Sequence, residues 1–248
     1  MMPGLVATLG LLLLGVVVCR PVDVDDVDLG DLPVLSPDLY QGDIVLEEGQ
    51  ERNGLVDKSR RWPGGVIPYV ITRSMLNRKD LLSAAMSHYH RNTCIRFVKK
   101  TNETSYIRFY EGLGCYSSWG RTGKAQTVSL GLGCQNIGTI LHELGHVVGF
   151  EHEHSRSDRD DYLNIHWDNI MEGAEDQFAK LSPEDNWLIT PFDYRSVMLY
   201  GQGAFSRDGR SKTMTPVEAG AVMLDVHNKF ELSEYDIERI NTLYECPK

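Results

Sequence analysis

Apolar residues along this chain fall into two rhythms. Short runs dense in β-branched and aromatic side chains, at Val66 to Ile71, Ile95 to Lys99, Tyr106 to Tyr110 and Ala125 to Leu130, read as strands. Between the first two, Leu81, Leu82, Ala85, Met86 and Tyr89 return at helical spacing and predict a helix around Arg78 to Asn92. A second helical stretch is expected from about Gly138 to Val148. A third runs from Ser233 to about Tyr244, with Ser233 as the capping side chain and Asp236 three residues on. Between His152 and that last helix the chain is rich in turns. No repeat or low-complexity segment interrupts this order, which predicts an α+β fold.

Two segments of different character precede this region. Met1 to Cys19 carries no charged side chain, and its apolar stretch LGLLLLGVVV is too short for a comfortable membrane span. It reads as a signal peptide (1–19) cleaved before Arg20, so that a secreted product without stable membrane association is expected. Residues 20–52 hold ten Asp or Glu against two Arg and show little helical periodicity, the profile of an acidic propeptide. That segment carries −8 of the chain's −10, which leaves only −2 for residues 53–248. Overall acidity is therefore no clue to a cationic partner, and no basic stripe suggests nucleic acid. Residues 53–248 have the size of one domain divided by a cleft.

His142 to His152 reads HELGHVVGFEH and changes the picture from fold to chemistry. Four residues apart on a helix, His142 and His146 share a face and can ligate one metal ion. Glu143, beside them, is placed to act as general base on a water at that metal. A third ligand on the same helix would lie too far along its axis, so the chain must turn. Gly149 can take the positive φ of that turn and deliver His152. Three neutral imidazoles leave an open position, the arrangement of a catalytic zinc, one ion per domain. Bound zinc brings the pKa of water from about 15.7 to about 7. Downstream, Ser196-Val197-Met198-Leu199-Tyr200 offers a Met-turn beneath such a site, with Met198 as an apolar plug. A catalytically silent zinc-binding module, a decoy or toxin component, is the alternative reading, and retention of Glu143 speaks against it.

The extended motif resembles the astacin family of zinc metalloendopeptidases. The family's continuation GFxHExxRxDRDxY is matched here by Phe150, Glu153, Arg156, Asp158, Arg159, Asp160 and Tyr162. The resemblance implies a metzincin catalytic domain: an N-terminal subdomain of twisted mixed sheet plus helices, an irregular C-terminal subdomain, and an active-site cleft between them. It implies a minimal secreted form, without accessory domains after Cys246-Pro247-Lys248, that hydrolyses internal bonds of protein or peptide substrates. Tyr200 would be a further zinc ligand that swings away to stabilise the oxyanion. Leu199 stands where the family usually has His.

Tyr40-Gln41-Gly42-Asp43-Ile44 resembles the FxGDI element of astacin propeptides and would make Asp43 the inhibitory metal ligand. Cleavage after Arg52 by a trypsin-like protease would create an N-terminus at Asn53, whose ammonium group would meet Glu153. The dibasic pair Arg60-Arg61 is a competing site, but cutting there would remove the segment that should reach Glu153. With Cys19 lost, Cys94, Cys115, Cys134 and Cys246 form an even set that can pair in three ways. The resemblance selects Cys94 with Cys246 and Cys115 with Cys134. Gln126, Val128 and Ser129 would lie on an edge strand that aligns extended substrate antiparallel. Lys229 would take the place of an Arg that favours acidic residues after the scissile bond. Asn102-Glu103-Thr104 is an N-glycosylation pattern.

Overall fold

A computed structural model of the chain describes residues 35–36, 39–46 and 58–247. The expected signal peptide, most of the expected propeptide and the Arg52–Asn53 junction lie outside the described residues. The elements are β1 (Ile44–Val45), β2 (Val66–Ile71), α1 (Lys79–Asn92), β3 (Arg96–Lys99), β4 (Tyr106–Tyr110), β5 (Cys115–Ser118), β6 (Ala125–Leu130), α2 (Ile137–Val148), β7 (Leu163–Ile165), β8 (Met214–Pro216) and α3 (Glu234–Leu243), with short 3-10 turns between them.

Six strands form one sheet in the order β1-β5-β6-β4-β2-β3. The strands β6, β4, β2 and β3 run parallel, and β5 alone turns antiparallel against β6. On β5 lies β1, parallel to it, with Ile44 opposite Ser117. This topology corrects the expectation for Gln126, Val128 and Ser129. Strand β6 is internal, paired with β4 on one side and β5 on the other, so its backbone has no free edge for a peptide. Its side chains are committed as well: Gln126 Nε2 donates to the Gly120 carbonyl at 2.6 Å and Ser129 Oγ to the Gly114 carbonyl at 2.9 Å. The edge is β5.

Helix α1 buries Leu82, Ala85, Met86 and Tyr89, the stripe that its apolar spacing dictates. It packs on α2, to which Tyr89 donates a hydrogen bond at the Leu141 carbonyl, 2.6 Å away. Helix α2 is different in kind: from Gly138 to Val148 every residue is buried, so it runs through the interior rather than over it. Asn136 caps its start by accepting from Thr139 N at 2.8 Å.

Two apolar cores result. One joins the sheet to α1, α2 and α3 through Ile67, Phe109, Leu144, Val147 and Ile240. The other, in the turn-rich C-terminal half, gathers Leu163, Phe178, Phe192, Phe205 and Met214. The turn after residue 195 stitches them, since Val197 and Met198 belong to the first core and Leu199 and Tyr200 to the second. Disulfides link Cys94 to Cys246 and Cys115 to Cys134, the first closing a loop across most of the domain with a sequence separation of 152. Among the described residues no helix is long and apolar enough to cross a membrane.

Candidate metal centre

Helix α2 sets two imidazoles one turn apart and ends at Gly149, whose φ of 119° lies in the left-handed region where glycine has little steric cost. The reversed chain then brings His152 back beside its partners. The Nε2 atom of His142 lies 3.1 Å from those of both His146 and His152. Each Nδ1 atom faces an oxygen acceptor: His142 that of Val197 O at 2.6 Å, His146 that of Phe150 O at 2.7 Å, His152 that of Gln41 Oε1 at 2.7 Å. The Nδ1 positions therefore carry the protons, and three Nε2 lone pairs converge on one point. Such a triad repels itself unless a cation occupies the centre.

Asp43 completes the cluster. One of its carboxylate oxygens lies 2.9 Å from His142 Nε2, the other 3.2 Å from His146 Nε2 and His152 Nε2. The four ligand atoms all lie within 4.8 Å of one another, and every residue that supplies them is buried. Asp43 Oδ1 is buried without a hydrogen-bond partner. Burial raises the Asp43 carboxyl, and positive charge at the cluster of His152, His146 and His142 outweighs it and holds the carboxyl well below the usual carboxylate range. Burial also pushes His142 and His152 down, toward the neutral form that ligates metal. Three nitrogen donors and one carboxylate fit a zinc ion, and the four residues would hold it.

Glu143 is 1% exposed, and neither of its carboxylate oxygens has a hydrogen-bond partner. Burial, and then the negative charge of Asp43, push its carboxyl well above the ordinary range. Only its backbone is engaged, accepting from Ser117 Oγ on β5 at 3.0 Å. The Tyr200 hydroxyl lies 2.6 Å from the Gln41 carbonyl oxygen and 2.9 Å from Asp43 Oδ2. Its ring stacks on His154 at 4.8 Å. Gly42 allows this approach, because a Cβ there would stand 2.5 Å from the Phe205 ring. The groove that opens over the cluster is lined by Asp43, Glu143, Tyr200, Arg210, Asp225 and His227, among others.

The floor beneath the triad explains a residue the motif leaves unspecified. A Cβ at Gly145 would lie 2.3 Å from Met198 Sδ, so the sulfur is seated against bare helix backbone. Asp236, legible in the sequence only as the residue three past the Ser233 cap of α3, also grips this floor. Its carboxylate accepts from Ser196 Oγ at 2.6 Å and Val197 N at 2.9 Å. Lys229 does likewise, which corrects its expected role in substrate choice. It is 6% exposed and donates to the carbonyls of Ser196 at 2.6 Å and Leu199 at 2.5 Å, pointing under the turn rather than into the groove. Burial brings its ammonium group down to about 8.

Glu153, expected to await an N-terminus, is held by cations of the domain itself. Arg239 Nη1 and Nη2 donate to its two oxygens, the second at 2.7 Å, Arg156 Nη1 adds a bond at 3.3 Å, and Asp193 N one at 2.8 Å. Against the cost of burial, the Glu153 carboxylate raises the proton affinity of the Arg239 guanidinium. Arg239 sits in the last helix with no signal in the local sequence. Removing one partner of a buried pair leaves the other charge stranded, at about 3–5 kcal/mol. Arg239→Met should therefore lower the unfolding free energy by that amount in denaturant titration, and a change below about 1 kcal/mol would show that Arg156 alone suffices.

A histidine triad over a Met-turn, with an unpartnered glutamate beside it and a groove between two cores, defines a zinc metallopeptidase. The family model for astacin, a peptidase family, matches residues 54–245, and the chain belongs to that family. It is 47% identical over 215 residues to Astacin-like metalloprotease toxin 1 of Loxosceles intermedia, covering 84% of this chain and 81% of that protein. With Zinc metalloproteinase nas-6 of Caenorhabditis elegans it shares 44% over 220 residues, covering 88% of this chain and 62% of the worm protein. Among solved structures, High choriolytic enzyme 1, a hatching enzyme zinc-protease from Oryzias latipes, superposes with a TM-score of 0.69 at 41% identity, covering 75% of this chain and 94% of that one. The chain is a zinc-dependent metalloendopeptidase.

Proposed function

We propose that this protein is a secreted zinc endopeptidase made as a latent precursor, with Asp43 as the latch and cleavage after Arg52 by a trypsin-like protease as the release. The observation that carries the reading is the Asp43 carboxylate lying among the three histidines while the carboxylate of Glu143 beside it has no hydrogen-bond partner among the described residues. His142, His146 and His152 would hold a zinc ion, which when bound would supply Lewis acidity, making water easier to deprotonate and a carbonyl oxygen easier to load with negative charge. Once the leader departs, Glu143 takes the proton of the attacking water and passes it to the leaving amine. Tyr200, freed from Gln41 and Asp43, turns its hydroxyl to the developing oxyanion.

Substrate binds as an extended strand on the edge of β5, where β1 now lies. Ser117 N already donates there to the Asp43 carbonyl at 2.9 Å, so the edge is hydrogen-bonding and accessible to a peptide backbone. Two disulfides agree with the secretory route expected from residues 1–19, and exposed Asn102, in the bend between β3 and β4, would be accessible to glycosylation. The ammonium group of Asn53 would enter the pocket beside Glu153, lined by Phe150, Asp185, Trp187 and Arg239.

Protein cleavage by material trimmed after Arg52 tests the reading, beside the untrimmed chain and with a zinc chelator. Hydrolysis is expected only from the trimmed protein, abolished by the chelator and restored by zinc. Equal hydrolysis by the untrimmed chain would overturn latency, and hydrolysis that survives the chelator would overturn the zinc mechanism.

A further inference from the structure

The three metal-facing histidines are oriented by unequal means. His142 and His146 turn their Nδ1 atoms to backbone carbonyls of the peptidase domain, at Val197 and Phe150. His152 turns its Nδ1 to the side chain of Gln41, which lies 111 residues earlier, ahead of the expected cleavage point. Gln41 is 1% exposed and takes a φ of 50°, a left-handed conformation that a side chain adopts only where its surroundings hold it. It is gripped at each end: Nε2 donates to the Tyr40 hydroxyl at 3.0 Å, and its carbonyl receives the Tyr200 hydroxyl at 2.6 Å. Only its amide oxygen faces His152.

An acceptor at Nδ1 fixes a ligating imidazole in the tautomer whose Nε2 carries the lone pair, and it raises the basicity of that nitrogen. We propose that Gln41 is a positioning residue for His152, so that the segment ahead of the peptidase domain strengthens the hold of the triad on zinc as well as covering it. The leader thus contributes one group at the metal, Asp43, and one behind a ligand, Gln41. Its departure hands the His152 Nδ1 proton to solvent and leaves zinc more exchangeable than in the precursor. The inference rests on zinc binding at the triad and not on latency or on hydrolysis.

The test measures zinc affinity of the full untrimmed chain by competition with a chromophoric chelator. Gln41→Met keeps the length of the side chain and, being unbranched at Cβ, its backbone tolerance, but offers His152 no oxygen. It should bind zinc about 10- to 100-fold more weakly than the parent, the usual cost of losing a partner behind a metal ligand. Gln41→Glu keeps the acceptor and should bind at least as tightly as the parent, which a role in packing alone would not produce. Affinity within about twofold of the parent for Gln41→Met, or equal weakening in both variants, would overturn the proposal. A parent chain that takes up no zinc would overturn the site reading beneath it.

Discussion

Glu143→Gln is expected to lower kcat/KM of the trimmed enzyme by about 10²–10⁴-fold, the range a positioned general base contributes, while zinc content stays at one ion per chain. The structure explains why the two readouts separate. Glu143 stands next to His142 in the chain, yet it makes no hydrogen bond to the ligand cluster, and both of its oxygens are unpartnered. An amide of the same shape therefore leaves the triad and its Nδ1 acceptors in place. Folding should not suffer either. A buried carboxylate without a hydrogen bond is costly to desolvate, so the variant should be as stable as the parent or slightly more so, the pattern expected where a group is kept for reactivity at the expense of stability. Single-turnover hydrolysis, zinc analysis and a denaturation curve on one preparation check all three. Residual activity within about tenfold of the parent would assign the base elsewhere.

Asp43→Ala in the untrimmed chain should awaken activity that the parent precursor lacks. The carboxylate is delivered by a tether, at an effective concentration in the millimolar range or above, and truncating it uncovers the triad and releases one of the two oxygens beside the Tyr200 hydroxyl. A rise of about tenfold or more in peptide hydrolysis is expected, short of the trimmed enzyme, because β1 still occupies the β5 edge and Gln41 still faces His152. An untrimmed Asp43→Ala chain as silent as its parent would place latency in the strand pairing alone.

The parts of this molecule that the amino-acid sequence made legible are those where neighbours in the chain are neighbours in space. The three helices start and stop within a residue of their expected bounds, because the stripe of Leu82 and Met86, the Asn136 and Ser233 caps and the turn at Gly149 are local devices. The histidine triad spans one helix and one turn. What escapes a reading of the sequence is the long-range partners. Strand β5, a run of Cys-Tyr-Ser-Ser, has too few apolar positions to announce itself, yet it forms the cleft edge, while the internal strand β6 has the more strand-like sequence. Arg239 meets Glu153 across 86 residues and Gln41 meets His152 across 111, distances over which no local pattern carries information. Lys229 misleads because position in an aligned segment says nothing about whether a side chain faces the groove or the floor. Gly145 does carry a signal: a glycine inside a helix costs about 1 kcal/mol relative to alanine, and something must compensate. Here it is the seat for Met198.

The parallel pairing of β1 with β5 bears on how the proposed precursor would escape cutting itself. A substrate laid antiparallel on β5 presents its peptide groups in one order past Glu143, and a strand lying parallel presents them in the opposite order. The leader therefore crosses the cleft reversed, with each carbonyl and its following nitrogen interchanged relative to the bond the site is built to split. Under the latency proposed above, cutting at Asp43 by the same molecule would be disfavoured by direction alone, and release of the leader would fall to a second molecule.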